Sequence, residues 1–501
     1  MSFLSRSGVV GSALLATALP FTLAAAEKVA AAPTRPNILF VYPDELRPQA
    51  IGWYGREPVL TPNIDRFARE SLALPQATSC YPVCVPYRTM LMSGQYPFSN
   101  GVTTNCFDDD RNMKDSVIWL PDVLNSQGYT LGYLGKWHIS KPILEYQGRQ
   151  LKGVAREFVP PEQRHHFDYW YHHTTNSHLS ATAWSGADKQ PEQFEKLPKW
   201  SPEYDADNAV RYLLNEGGKV RDPAKPFCLF ISMNPPHSPY GQVPSRYLEP
   251  YKDLDVEALA AKTPDVPPDT AGMGKYYRKQ VKNYYACITG VDEQFGRILA
   301  ALDQAGLKEN TIVVFTSDHG NCLGRHKEIT KNNPYEESIR VPFFIRWPAK
   351  IRPRSDDLLI TTPDLYPTLL GLAGCDQAIP KQIEGRNFAP LLLTGQGERP
   401  AFQPYYYIPT DKEKGRNDRG ARTLTHTLAI NLQNPKEPVL LFDNAADPFQ
   451  MHNLAAEKPE LAATLLRQHL IPWLQKTQDP WLAEAKPLLD TYLEKPTATV
   501  K

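Results

Sequence analysis

The chain has 501 residues, enough for a large core and more than one structural unit. Lys+Arg and Asp+Glu both number 55, so the formal net charge is zero, which argues against a nucleic-acid or acidic-membrane partner. The 47 prolines point to many long loops between elements.

Residues 1–26 read as a secretory signal peptide. Arg6 supplies the positive start, Val9–Leu23 is apolar but interrupted by Ser12 and Pro20, and Ala24–Ala26 offer small residues for cleavage. The run is too short and broken for a membrane anchor, and no cysteine follows it to carry a lipid. Export to the periplasm or the extracellular space is expected. Seven cysteines follow, Cys80, Cys84, Cys106, Cys228, Cys287, Cys322 and Cys375, so disulfides are possible, but their pairing is not readable.

Asn37–Tyr42 is a continuous apolar run, as in a strand buried on both faces of a parallel sheet. It ends in Pro43-Asp44-Glu45. Adjacent carboxylates there are either an ordinary surface pair or a cation site. Thr61–Glu70 reads as a helix capped by Thr61, with Pro62 at its first position and Ile64, Phe67 and Ala68 buried. Tyr81–Gly94 follows, containing Cys84, Pro86 and Arg88. Pro86 suits the first turn of a helix that ends at Gly94, which places Cys84 at the positive N-terminus. Arg88, one turn on, faces the same way. A nucleophile beside a guanidinium at a helix start suits an anionic substrate, although a lone buried cysteine in a Pro-rich turn is the plainer alternative.

A helix opening at Leu120 and ending at Gly128 leads to a strand over 130–135, which delivers Lys136, Trp137 and His138. Residues 141–204 show no clear periodicity but carry Phe167–His173, Trp184 and Trp200. These rings either pack a long loop or stack on sugar faces, Trp170 among them. Phe227–Ser232 is another buried strand, followed by His237 between prolines that stiffen its loop. An amphipathic helix is expected from about 274 to 305, its aromatic stripe packing the core. Thr311–Thr316 is a buried strand ending in Ser317-Asp318-His319-Gly320, and a further strand covers Val341–Arg346. After about residue 400 the texture changes to short strands near 405–408, 422–424 and 439–442, with a helix over 459–476. Five strand ends thus carry chemically competent residues, and ligands in open α/β sheets sit outside such ends. Asp44, Cys84, Lys136, His138, His237, Asp318, His319 and Lys331 are expected to converge.

The spacing C-x-P-x-R-x5-G around Cys84, Gly-Lys-Trp-His at 135–138, Pro-Pro-His-x-Pro at 235–239 and Ser-Asp-His-Gly at 317–320 resembles the type I, formylglycine-dependent sulfatases over about 35–480. The resemblance implies an alkaline-phosphatase-like α/β/α sandwich with a large, mostly parallel sheet, and a small C-terminal antiparallel sheet with a helix. It implies a catalytic domain over 35–400 and a C-terminal subdomain over 401–495. In that family the cysteine is matured to formylglycine by a formylglycine-generating enzyme and one calcium ion is bound. Asp44, Glu45, Asp318 and His319 match the metal positions, although the family usually has Asp where Glu45 stands. Lys136 and Lys331 match the sulfate-binding lysines, with Lys327 the alternative to Lys331. Arg88 matches the arginine, His138 the histidine beside the formylglycine, and His237 the leaving-group acid. The activity implied is hydrolysis of a sulfate ester in which one hydroxyl of the hydrated aldehyde takes the sulfuryl group and the other expels sulfate.

Export and the aromatic segment favour a sulfated carbohydrate as substrate, with Arg422 and His426 as further candidate contacts. The alternatives are a phosphomonoester or phosphonate hydrolase, a sulfamidase, and a non-catalytic binder of sulfated glycans.

Overall fold

A computed structural model describes residues 35–105, 113–175, 177–268, 272–409 and 416–493. The expected signal peptide and Cys106 lie outside them. Apolar runs at 37–41, 227–232 and 311–315 become fully buried strands because both of their faces are covered. The strands of the main sheet are β1 (Asn37–Val41), β2 (Leu72–Ala73), β3 (Thr130–Lys136), β4 (Phe167–His173), β5 (Thr182–Ser185), β6 (Glu195–Lys196), β7 (Phe227–Ser232), β8 (Thr311–Phe315), β9 (Phe344–Arg346) and β10 (Arg354–Ser355). Their order across the sheet is β10-β2-β9-β8-β1-β7-β3-β4-β5-β6. The central five, β8 to β4, are mutually parallel, and antiparallel pairs flank them.

Side chains alternate across this sheet. Leu39 and Val41 enter one core layer, against the long helix α5, while Ile38 and Phe40 enter the other, against α2, α3 and α6. These helices are α1 (Pro62–Arg69), α2 (Cys84–Ser93), α3 (Leu120–Ser126), α4 (Ser201–Leu213), α5 (Met273–Gln304) and α6 (Leu365–Leu372). The aromatic stripe of α5, with Tyr277, Tyr284, Tyr285 and Phe295, is fully buried, as its spacing predicts. The result is the α/β/α sandwich expected, with a second, four-stranded antiparallel sheet of β11 (Gln403–Tyr407), β12 (Asp418–Arg422), β13 (His426–Asn431) and β14 (Val439–Asp443). Helical segments over 459–493 cover that sheet and close a separate small core.

Three expectations change. The segment 141–204, read as aperiodic, contributes β4, β5 and β6, which extend the main sheet. The expected strand at 341–346 is shorter, Phe344–Arg346, and the one near 422–424 is the end of β12. The six described cysteines are all free and buried. Among the described residues no helix is long and apolar enough to cross a membrane.

Candidate active site

Every predicted catalytic position lies at or just beyond the carboxyl end of a central parallel strand or at the start of α2, except Lys331, which comes from the loop between β8 and β9. Cys84 is the first residue of α2, Pro86 sits in its first turn, and Gly94 ends it in the left-handed conformation, φ 63°. The Cys84 sulfur stands where an oxygen of a hydrated aldehyde would stand if the residue were matured. Its surroundings come from three strands. Lys331 Nζ lies 3.1 Å away, His319 Nε2 3.4 Å, Lys136 Nζ 3.5 Å and Asp44 Oδ1 3.7 Å. Close backbone approach brings Lys136 in. A Cβ on Gly135, φ 92°, would lie 2.1 Å from the Ser232 carbonyl oxygen of the neighbouring strand, so only glycine fits.

Arg88 lies behind this group, fully buried. One terminal nitrogen donates to Asp44 (3.1 Å) and to Asp318 (3.0 Å), and the other to Ser232 Oγ (2.6 Å) and the Lys136 carbonyl (2.7 Å). The guanidinium therefore ties β1, β3, β7 and β8 together and fixes both carboxylates. Lys136 also pairs with Asp44.

The buried charges shape one another. Burial opposes ionisation of Asp44, but Lys136, His237 and Lys331 outweigh it and hold its carboxyl well below the usual range. Burial and the charge of Asp44 push Asp318 up to about 7. Burial and Asp44 both oppose a thiolate at Cys84, yet Lys136, Lys331 and His319 prevail and lower its pKa well below that of a free thiol. His138 is driven down to about 4, chiefly by burial.

Glu45 faces a different side. Its carboxylate accepts from Lys331 (2.6 Å) and Asn321 (2.6 Å) and lies 3.5 Å from His237 Nε2. A cleft of about 410 Å³ opens from this point, lined by Cys84, Lys136, Trp137, His138, Lys141, Glu157, His172, His173 and His237, among others. All eight residues expected to converge surround Cys84 or this cleft.

Donor atoms of Asp44, Cys84, Asp318 and His319 lie within 4.8 Å of one another, all buried. Two carboxylates and one imidazole, with Asp318 pushed up by burial and by the charge of Asp44, fit a divalent cation. Asp44, Glu45 and His237 form an adjoining group that shares Asp44.

Three substrate candidates are corrected. Trp170 is 1% exposed and packs edge-on against Trp137, with ring centroids 5.2 Å apart, so it belongs to the core rather than to a sugar platform. Arg422 is buried, donating to Glu336 (2.6 and 2.9 Å), Gln403 and Gln76. His426 lies in the small sheet beside Thr425 and Asp443. Neither Arg422 nor His426 lines the cleft. Lys327, the alternative to Lys331, is exposed, whereas Lys331 reaches the cysteine.

Sequence reasoning missed Asn321, His172, His173 and His178. Asn321 follows Asp318 by three residues and was legible as a polar residue in the same strand-end loop. The histidines become visible only when the 141–204 segment is folded onto the sheet.

The sulfatase family model matches residues 36–375, and the model for the C-terminal part of N-sulphoglucosamine sulphohydrolase matches 324–477. An endo-4-O-sulfatase of Bacteroides thetaiotaomicron is 37% identical over 498 residues, covering 92% of this chain and 96% of that protein. An ulvan-active sulfatase of Formosa agariphila is 32% identical, covering 85% and 78%. A solved 4S-sulfatase structure, from a B. thetaiotaomicron locus for glycosaminoglycan metabolism, superposes with a TM-score of 0.83 at 37% identity, covering 92% of this chain and all of that one.

Proposed function

This chain belongs to the sulfatase family, and from that premise we propose that it removes sulfate from a sulfated oligo- or polysaccharide, using formylglycine made from Cys84 and one calcium ion. The observation that carries this reading is the crowding of Lys136, Lys331 and His319 within 3.5 Å of Cys84 at the head of the cleft. Carbohydrate is favoured because similar proteins are named an ulvan-active sulfatase and an N-acetylglucosamine-6-O-sulfatase, and the similar 4S-sulfatase structure comes from a glycosaminoglycan locus.

Asp44, Asp318 and His319 are the residues to hold the calcium, with Glu45 turned toward Lys331 and His237. The ion, when bound, supplies positive charge for the oxygens of the sulfate and of the nucleophile. Formylglycine supplies a hydrated aldehyde carrying two hydroxyls, where a thiol offers one nucleophile and no second group to expel sulfate. Lys136 and Lys331 give up their carboxylate partners to bind sulfate oxygens and stabilise charge during transfer. Arg88 holds Asp44 and Asp318 in place. His237 faces the cleft through Nε2 and donates a proton to the departing sugar oxygen. His138, neutral through burial, accepts a proton when sulfate is released.

We assign catalysis to 35–400 and a supporting role to 401–495. Residues 1–26 direct export to the periplasm or beyond, and a formylglycine-generating enzyme is the required maturation partner.

Mass analysis of the Cys84 peptide, together with a screen of defined sulfated oligosaccharides, tests the proposal. Conversion of Cys84 and release of sulfate from an oligosaccharide are expected, and full activity with unmodified Cys84 overturns the mechanism. A second reading, cleavage of an N–S bond, is favoured by the match of 324–477 to the N-sulphoglucosamine sulphohydrolase model. Comparing N-sulfated with O-sulfated glucosamine decides between them. A phosphate-ester control separates both from a phosphatase.

A further inference from the structure

We infer that His178 is the positioning residue for His237, holding it through the backbone of its loop. The inference rests on the sulfatase reading and adds to it a residue from the connection between β4 and β5.

His178 is fully buried. Its Nε2 lies 2.8 Å from the carbonyl oxygen of His237, and its Nδ1 lies 3.2 Å from Nδ2 of Asn234. A carbonyl only accepts and an amide N–H only donates. The ring therefore carries its proton on Nε2 and accepts at Nδ1. Burial drives its pKa to about 3, in keeping with a neutral ring. Both ring nitrogens are committed to residues 234–237, leaving neither for substrate.

The surrounding bonds make this a clamp. Asn234 Nδ2 also donates to the Thr175 carbonyl (2.9 Å), and the His237 N–H donates to the Asn234 carbonyl (3.1 Å), closing the turn. At the far end of the loop, Gln242 Oε1 accepts from the His178 N–H (2.7 Å) and from Ser177 Oγ (2.9 Å). The His237 ring is set by the same backbone, because its Nδ1 bonds the Ser238 carbonyl and so leaves Nε2 toward the cleft and Glu45. The position of the His237 carbonyl thus fixes where Nε2 points. Displacement of a catalytic group by about 1 Å can cost about 100-fold in rate.

Proton donation matters most when the departing oxygen is a poor leaving group. A positioning role therefore has a readout that a general loss of structure lacks. The experiment uses His178→Phe, which fills the slot without hydrogen bonds, and His178→Gln, which keeps a donor. The mature enzyme is assayed with 4-nitrophenyl, 4-methylumbelliferyl and phenyl sulfate, in order of rising leaving-group pKa.

With His178→Phe the loss in kcat is expected to grow along the series, from about 2-fold to about 10–100-fold, with KM little changed. His178→Gln is expected to recover part of the loss. In a His237→Ala background, His178→Phe is expected to cost nothing further, because the acid it positions is already gone. A loss that is uniform across the three esters, or one that persists undiminished in the His237→Ala background, overturns the inference. If His178→Phe does not fold, Asn234→Ala removes the other half of the clamp and is read in the same way. A matured wild-type enzyme that hydrolyses no sulfate ester, aryl or sugar, defeats the parent reading instead.

Discussion

Two buried ion clusters lie side by side beyond the end of β1, each bordering a cavity, but only one of them holds the predicted catalytic residues. The first gathers Asp44, Asp318, Arg88, Lys136, Lys331 and His319 around Cys84. The second gathers Glu57, Asp265 and Glu337 around Arg47, Arg325 and His326. Both bring acids and an imidazole within metal-binding distance. The difference lies in the cations. In the second cluster Arg47 forks onto both oxygens of Glu57 (3.0 and 2.8 Å), and Tyr285 adds a third bond at 2.8 Å. Guanidinium pairs of this kind are satisfied and stay where they are. In the first cluster Lys136 and Lys331, flexible ammonium groups, divide their contacts between carboxylates and a sulfur, and are free to turn to a sulfate. A neighbouring cavity of about 740 Å³, lined in part by Glu57, Arg325, Glu337 and Arg340, is larger than the cleft yet holds none of the predicted catalytic residues. Cavity volume alone is a poor guide to chemistry here.

This contrast predicts that changes in the first cluster remove activity and spare the fold, and that changes in the second shift stability and spare activity. The largest effect is expected from Cys84→Ala, which should lower desulfation by roughly 10⁴-fold or more while the thermal midpoint holds. Next is Arg47→Ala, which leaves Glu57 buried without its main partner and should cost about 3–5 kcal/mol in denaturant unfolding. A matching loss of kcat at full folding would erase the distinction between the clusters. Lys331→Ala should lower kcat/KM by roughly 10²–10³-fold with stability kept. The smallest effect is expected at Asp265, whose carboxyl burial pushes up to about 6 against the opposing charge of Arg325. The folded value exceeds the unfolded value of about 3.9, so this group's contribution is full below about pH 4 and is lost as pH rises through 6. Asp265→Asn should therefore be more stable than wild type at pH 8, by on the order of 1 kcal/mol, with that margin halved near pH 5 and gone below about pH 4. Urea midpoints across this pH range measure it. Destabilisation at pH 8 would instead mean that Arg325 and His326 hold the ionised carboxylate more strongly than burial opposes it.

The fold was legible where burial is two-sided. β1, β7 and β8 are short apolar runs because helices cover both faces of the sheet, and α5 is legible because its stripe is long. β4 was not, because its burial is uneven along Phe167–His173 and the connection over 174–181 to its antiparallel partner β5 carries no tight-turn signal. Cys84, Asp318 and His237 could be placed from local spacing. The core position of Trp170 could not, since an aromatic residue in an irregular segment looks the same whether it faces solvent or Trp137. His178 is the extreme case, because its partners lie 56 and 59 residues away and nothing in its own neighbourhood announces them.

The grip of Arg422 on Glu336 reaches beyond local stability. Glu336 begins the turn five residues after Lys331, and its backbone N–H is held by Gln450 (2.8 Å). Both restraints come from the last fifth of the polypeptide. A ribosome-bound chain that has not yet released Arg422 and Gln450 therefore has the nucleophile's helix and most strand ends, but not the brace behind one of its two ammonium groups. A chain cut before Arg422 is expected to lack that brace on the turn that follows Lys331.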